Sequence, residues 1–157
     1  MYKLAEIRNY NLSDFDVAYI INKTDKFIVI KLIDQYGHYY GYEIDHLEPI
    51  SKIVYKSKYL DFIKKIMEKD DIDYPIKNME DMIKCSISMN KLLTVSCYKQ
   101  NININVKVLG FEKGILKCKK INQYGEFTKE YNIDINKIDC LSFDTLNLRM
   151  YEKLLKM

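Results

Sequence analysis

The chain has few of the features by which catalytic and membrane sites are recognised. Among its 157 residues are two histidines, five glycines, two prolines and no tryptophan. No apolar run approaches the ~20 residues of a membrane span, and the first residues lack the charged-then-apolar order of a signal peptide. Glycine-rich phosphate loops and the GxSxG and HExxH motifs are absent. We therefore expect a cytoplasmic protein that is not an enzyme and needs no cofactor.

Close cysteine pairs, which zinc sites use, are also absent. The four cysteines are scattered along the chain as Cys85, Cys97, Cys118 and Cys140. Cys97 and Cys118 fall in expected strands, where a free thiol behaves as a small hydrophobe. We predict four buried free thiols and no metal site. The acidic segment 70–73 lacks the glycine and terminal glutamate of a calcium loop, so we interpret it as a solvated linker.

Arginine is scarce as well, with 23 lysines against two arginines. Lys, Ile, Asn and Tyr, which have A/T-rich codons, make up nearly half of the chain. This bias indicates a low-G+C genome, bacterial or phage. A lysine surplus that arises from codon bias is weaker support for an anionic partner than arginines would be. With 48% apolar and 30% charged residues of mixed sign, the composition is that of a soluble globular protein.

An internal repeat is present at an offset of 88 residues. The segment Asp34-Gln35-Tyr36-Gly37 falls on Asn122-Gln123-Tyr124-Gly125, and about a dozen of 69 positions are identical. One residue of slack after the glycine also aligns Tyr42 with Tyr131. The pattern predicts two copies, residues 1–69 and 89–157, joined by a linker over residues 70–88.

Each copy contains about five short runs of β-branched and aromatic residues, which are typical of strands. The shared Gln-Tyr-Gly segments indicate hairpin turns, in which glycine supplies a positive φ. Several strands with tight turns in so short a chain favour a strongly bent sheet, and closure into a barrel removes its exposed edges. We therefore predict a mainly β (α+β) fold of two tandem five-stranded barrels, each followed by a C-terminal helix.

The order of these elements resembles that of the SH3-like and Sm-like small barrels. In copy two, Val106 to Leu116 looks like the bent second strand and turn of an Sm-type domain. The Asp and Asn of the Sm nucleotide pocket have no counterpart after Gly110, and residues 135–138 stand where the later Sm motif has Arg-Gly. The resemblance therefore implies the architecture but not Sm-type RNA binding. Because Sm-like barrels often form rings through edge strands, it leaves the oligomeric state open.

Three helices are expected. Ser57 is the predicted N-cap of the first, and the apolar period places on its inward face Tyr59, Phe62, Ile63, Ile66 and Met67. Asp144 is the predicted cap of the last helix, whose inward residues would be Leu148, Tyr151, Leu154 and Leu155. A short helix over residues 79–84, capped by Asn78, is expected in the linker.

The aromatic segment after the first hairpin turn is the most suggestive binding feature. Small barrels often bind peptides or single-stranded nucleic acid through aromatic side chains beside a hairpin. His38 and Tyr40 have no equivalent in copy two, whereas Tyr39 stands opposite Phe127. His38, Tyr39 and Tyr40 are therefore candidate binding residues. The alternative is a structural role, with Tyr40 packed on a neighbouring strand.

A group of lysines is the second candidate binding site. Residues 79–157 carry 13 basic and nine acidic side chains. Five lysines cluster on adjacent predicted strands of copy two: Lys113, Lys117, Lys119, Lys120 and Lys129. Lys117 and Lys119 alternate with Cys118, which predicts that both lie on the outer face of one strand. Such charges contact phosphates, although lysines also protect exposed strands from pairing.

Three hypotheses on function follow. The first is a non-catalytic protein that recognises another protein, as inhibitors, immunity and anti-defence proteins and adaptor subunits do. The second is RNA or single-stranded DNA binding through the lysines of copy two. The third is capture of a small ligand between the two copies, with His38 and Tyr40 as contacts.

Overall fold

The computed structural model describes all 157 residues. The chain forms two compact units, Met1–Tyr74 and Pro75–Met157, which are called unit 1 and unit 2 below. Strands hold 45% of the residues and helices 24%, which confirms a mainly β fold. No helix combines the length and the apolar content needed to cross a membrane.

Unit 1 is a five-stranded antiparallel sheet followed by a helix. Its elements are β1 (Lys3–Asn9), β2 (Phe15–Lys23), β3 (Phe27–Ile33), β4 (Tyr39–His46), β5 (Ile50–Val54) and α1 (Lys58–Ile66). The strands lie in the order β5-β1-β2-β3-β4. Because β5 has a single strand neighbour, the sheet is open, and its closure into a barrel stays a prediction.

Unit 2 has a sheet of the same order, with one helix before it and one after. Its elements are α2 (Met79–Met89), β6 (Leu93–Cys97), β7 (Ile102–Glu112), β8 (Ile115–Ile121), β9 (Phe127–Asp134), β10 (Cys140–Phe143) and α3 (Leu146–Lys156). The strands lie in the order β10-β6-β7-β8-β9. This sheet is open too, because β9 has one strand neighbour. The helix α2 packs against β7 and β10.

The strand register of unit 1 recurs in unit 2 at the same offset throughout. Tyr19 pairs with Lys31, and Lys107 pairs with Lys119. A β-bulge skips one residue between Ile20 and Asn22 and, at the equivalent place, between Val108 and Gly110. A bulge at the same place in both units bends both sheets at the same point.

The register corrects one detail of the repeat. Tyr42 pairs with Lys31, and its place in unit 2 is taken by Glu130, which pairs with Lys119. Tyr131 pairs instead with Cys118. A shift of one residue turns a side chain to the other face of a strand. The alignment of Tyr42 with Tyr131 by a gap of one residue is therefore wrong, because the third and fourth strands of both units keep the offset of the repeat without a gap.

The hairpin turn before the fourth strand of each unit is closed by the side chain of its first residue. Asp34 Oδ1 accepts the N–H of Tyr36 and of His38, both at 2.9 Å. In unit 2, Asn122 Oδ1 accepts the equivalent N–H groups. The turn glycines have φ values of 81° and 80°, a region that residues with a Cβ rarely adopt.

The core of unit 1 lies on both sides of its sheet. On one side Ile28 and Ile30 of β3 share a cluster with Ile53 of β5. Two strands separate β3 from β5 in the sheet, so this cluster shows that the sheet curls. On the other side Leu60 and Ile63 of α1 pack against an apolar group formed by Leu4, Val17 and Ile33.

Two of the three predicted helix caps are confirmed. The Ser57 side chain accepts the N–H of Leu60, and that of Asn78 accepts the N–H of Asp81. The helix after Asn78 runs to Met89 and is longer than expected. At α3 the expectation was wrong, because Thr145 is the cap. Asp144 has a φ of 55°, and its carboxylate accepts a hydrogen bond from Lys91 instead.

A buried carboxylate, Glu6, joins β1 to the start of α1. It accepts hydrogen bonds from Arg8, at 2.6 Å, and from the Ser57 hydroxyl. Burial alone would raise the pKa of Glu6, but the hydrogen bonds from Ser57 and Arg8 outweigh it, so the pKa lies below its usual value. The ionised form is therefore the one that the fold stabilises.

Substitution of the turn glycines tests this packing. A Cβ at Gly37 would lie 2.8 Å from the Cα of Met67, whereas one at Gly125 meets only the Leu154 side chain, at 3.4 Å. We expect Gly125→Ala to lower the free energy of unfolding by about 1–2 kcal/mol, the cost of a left-handed residue with a Cβ, and Gly37→Ala to lower it by more. Urea denaturation measures both. Gly110→Ala is the control, since nothing lies within 4 Å of its Cβ position; equal losses in all three variants would contradict the packing.

The lowered pKa of Glu6 predicts that the stability of the fold depends on pH. Because its pKa is lower in the folded than in the unfolded protein, its contribution is complete above the unfolded pKa of about 4.5 and is lost as pH falls through the folded pKa. We expect Glu6→Gln to reduce stability at pH 7 and to flatten the acid side of a plot of melting temperature against pH. The exposed Glu48→Gln should keep the wild-type profile. An unchanged profile in Glu6→Gln would exclude this role.

Candidate functional site

The predicted aromatic site does not form a single cluster. His38 lies at the end of the hairpin turn, half exposed, with its ring nitrogens 3.4 Å from Asp34 and 3.7 Å from Glu68. Tyr39 packs against the Tyr42 ring at 6.1 Å. Tyr40 is skipped by the pairing of β3 with β4 and is exposed. His38 therefore closes the turn and Tyr39 packs within unit 1, which leaves Tyr40 as the outward-facing member.

The five predicted lysines also divide. Lys117 and Lys119 lie on one face of β8, the face opposite the buried Cys118. Lys120 is out of phase with them and pairs with Val106. Lys129 lies over the Tyr131 ring, at 5.1 Å from its centroid. Lys113 is in the turn before β8, with a φ of 51°.

The register adds a lysine that the sequence pattern missed. Lys107 of β7 lies directly opposite Lys119 of β8. Neither side chain forms a hydrogen bond or an ion pair, and both are partly buried. Like charges that are directly opposite on antiparallel strands repel each other. This pair is therefore a positive site without a neutralising acid. It is recognised only when the register of β7 and β8 is known, and the sequence does not give that register.

A cavity of about 300 Å³ opens beside Lys107. We call it groove 2 and define it by Met89, Leu92, Lys107, Phe127, Leu155 and Lys156. Lys91 and Glu152 also line it, but Lys91 already contacts Asp144 at 2.6 Å and Glu152 at 3.6 Å. The charges of groove 2 that are free to meet a ligand are therefore positive, and its walls are largely apolar.

Unit 1 has a cavity of about 430 Å³ at the equivalent place. We call it groove 1 and define it by Tyr2, Tyr19, Lys31, Met67 and residues 69–73. Lys31, the equivalent of Lys119, lies 2.6 Å from a carboxylate oxygen of Asp70 and also donates to the carbonyl of Ile72. The acidic segment, interpreted from the sequence as a solvated linker, thus forms part of the wall of groove 1, with Asp71 and Asp73 exposed.

An exposed apolar strip lies on the terminal helix of each unit. In unit 1 the apolar strip is Tyr36, Phe62 and Ile66, and in unit 2 it is Tyr124, Met150 and Leu154. All six side chains are exposed, Phe62 by 51% and Met150 by 60%. Phe62, Ile66 and Leu154 therefore do not face inward, and that expectation was wrong. It was also wrong for Leu155, which is 38% exposed. Ile63 and Leu148 are buried as expected, and Leu60, which was not among the expected inward residues, is buried too.

Burial favours the protonated thiol at three of the four cysteines. All four are free and buried, as predicted. Burial raises the pKa of Cys85 and Cys97, and it raises the pKa of Cys118 to about 11. The reactive form of cysteine is the thiolate, which is therefore scarce at these positions at neutral pH.

Comparison of the chain with known proteins finds no matching family model, no similar curated protein and no similar solved structure. The geometry of the two grooves and the two apolar strips is therefore the basis of the functional argument.

Thiol labelling tests the description of the cysteines. Because burial and a raised pKa both suppress thiolate reactivity, we expect the native protein to react with Ellman's reagent at pH 8 far more slowly than the protein unfolded in guanidinium, which should release four equivalents, one for each free cysteine. Cys118→Ser should remove one equivalent from the unfolded protein only. Rapid reaction of one thiol in the native state would show an accessible, activated cysteine.

Proposed function

We propose that this chain is a non-catalytic binding protein that recognises another protein. The observation that carries the proposal is the apolar strip, which occurs at equivalent positions in both units. Exposed apolar groups that adjoin one another commonly mark interaction sites, and side chains four residues apart on a helix are neighbours. Phe62 with Ile66, and Met150 with Leu154, therefore form continuous apolar surface on α1 and α3.

The hairpin tyrosines adjoin the helical part of each strip. A Cβ on Gly125 would lie 3.4 Å from Leu154, and one on Gly37 would lie against the Ile66–Met67 backbone. Tyr124 and Tyr36 directly precede these glycines and are 74% and 63% exposed. Tyrosine is enriched where proteins bind one another, because it buries a large area at little cost in side-chain entropy.

The finer architecture belongs to the same proposal. We infer that the units are tandem copies of an SH3-like or Sm-like small barrel. The common strand order, the shared bulge and the curled core of unit 1 support this inference. Two copies linked in one chain present two binding surfaces, which raises the overall affinity for a partner that engages both.

A second candidate function is binding of single-stranded nucleic acid. The observation that favours it is the group of three lysines, Lys107, Lys117 and Lys119, on one face of β7 and β8. The separation of Lys120 and Lys129 from this face weighs against it, because such proteins follow the phosphate backbone with a continuous row of cations.

Affinity capture tests the proposed function. We expect the tagged protein to retain a stoichiometric partner protein from a lysate of its own host after nuclease treatment. The double variant Phe62→Ser/Met150→Ser should lose that partner, because it interrupts both apolar strips. Lys153→Ser, an exposed polar position on α3, is the matched control and should retain it. Loss of every partner on nuclease treatment would favour the nucleic-acid function instead.

A further inference from the structure

One wall of groove 1 is a segment of the chain itself, residues 69–73, and this segment is bound to Lys31. After α1 the chain continues without helix or strand through residues 67–76. Asp70 and the carbonyl of Ile72 both accept from the Lys31 ammonium. The Tyr42 hydroxyl lies 3.5 Å from Asp73 and accepts the N–H of Tyr74 at 3.3 Å. The contacts are those of a short acidic peptide on a lysine and a tyrosine.

Groove 2 has the same position in the fold but a more basic lining. Lys119, the equivalent of Lys31, does not itself line groove 2, but it pairs across the strands with Lys107, which does, and it has no acidic partner. Lys107 stands in the place of Tyr19, and Lys156 stands in the place of Glu68. The only acid in register with Lys119 is the exposed Glu130, and the two do not form an ion pair. An incoming carboxylate would therefore relieve the repulsion between Lys107 and Lys119.

The apolar part of groove 2 further restricts the ligand. Leu92 is buried, and Phe127 and Leu155 are each 38% exposed. They provide an apolar contact beside the lysines, as Met67 and Tyr19 do in groove 1. A segment with an apolar residue among acidic ones, such as Asp-Asp-Ile-Asp, matches both features. The lysines beside the cavity do not continue as a row, which binding of an extended nucleic acid would require.

We propose that groove 2 and the adjoining Lys119 bind an acidic peptide segment of the partner protein, in the manner in which Lys31 binds Asp70 and the carbonyl of Ile72. This inference rests on the proposed function and adds the chemistry of the segment that is recognised. Lys107 and Lys119 bind its carboxylates and carbonyl groups, and Phe127 and Leu155 contact its apolar side chain. In unit 1 the equivalent lysine, Lys31, is already neutralised by Asp70, so unit 2 supplies the lysines that are open to a ligand.

Fluorescence anisotropy with the purified full chain tests the inference. The probe is a fluorescein-labelled peptide with the sequence of residues 69–74, Lys-Asp-Asp-Ile-Asp-Tyr, and the control peptide has asparagine in place of each aspartate. We expect the acidic probe to bind and the control peptide not to bind. Lys107→Gln/Lys119→Gln should weaken binding by at least about tenfold, because charged hydrogen bonds are lost. Lys137→Gln, at an exposed position outside groove 2, should bind as the wild type does.

Two further measurements separate the possible outcomes. The melting temperature of Lys107→Gln/Lys119→Gln should equal or exceed that of the wild type, since the substitution removes a repulsion, and Lys107→Arg/Lys119→Arg should still bind. Absence of peptide binding, or equal binding by wild type and glutamine variant, would overturn the inference. Tighter binding of a ten-nucleotide oligothymidylate that depends on the same two lysines would overturn it in favour of nucleic acid. Capture of a partner through the apolar strips without peptide binding would refute the inference alone and leave the proposed function in place.

Discussion

The pairing register of the central strands is the constraint on which the rest of this structure depends. In both units the second and third strands pair in the same register and skip one residue at the same bulge. This register brings Lys107 opposite Lys119 and Tyr19 opposite Lys31. A slip of one residue would turn each of these side chains to the other face of its sheet. The grooves and their charges therefore exist only because the strands pair as they do.

The position of the terminal helix in each unit depends on the same strand register. Its buried residues, Leu60 in α1 and Leu148 in α3, lie in apolar clusters with Ile33 and Ile121, the last residues of the third strands. The hairpin turn then follows, and its glycine faces the end of the helix. Because the turn leaves no space for a side chain at Gly37, the helix end is held close to the hairpin.

Around the grooves, the two units differ in charge. Unit 1 places Tyr19 and Glu68 where unit 2 places Lys107 and Lys156, and Lys31 of unit 1 is neutralised by Asp70. The lysine of the third strand is thus neutralised within one unit and is left without an acidic partner in the other. Function commonly arises in this way, through side chains placed on a retained fold. A duplicated unit can keep one copy for structure while the other changes its ligand.

The sequence by itself determined the local structure of this protein. The β-branched runs specified the strands, the Gln-Tyr-Gly segments specified two turns, and Ser57 and Asn78 specified helix starts, because each of these signals acts within a few residues. The repeat located equivalent strands in both copies. Sequence reasoning failed at Thr145, because the left-handed backbone of Asp144 places the cap one residue later. It also failed at Phe62 and Leu154, because the apolar period of a helix does not indicate how much of the helix surface is covered by the sheet.

Only the tertiary structure decided the candidate sites. The lysines that appeared clustered along the chain lie on different faces, and Lys107, which the sequence pattern missed, lies opposite Lys119. In the acidic segment 70–73, Asp70 and Ile72 contact Lys31, whereas Asp71 and Asp73 are exposed. These outcomes depend on pairings between strands and on the path of the chain after α1. Such contacts are set by the packing of distant residues, and no local pattern in the sequence encodes them.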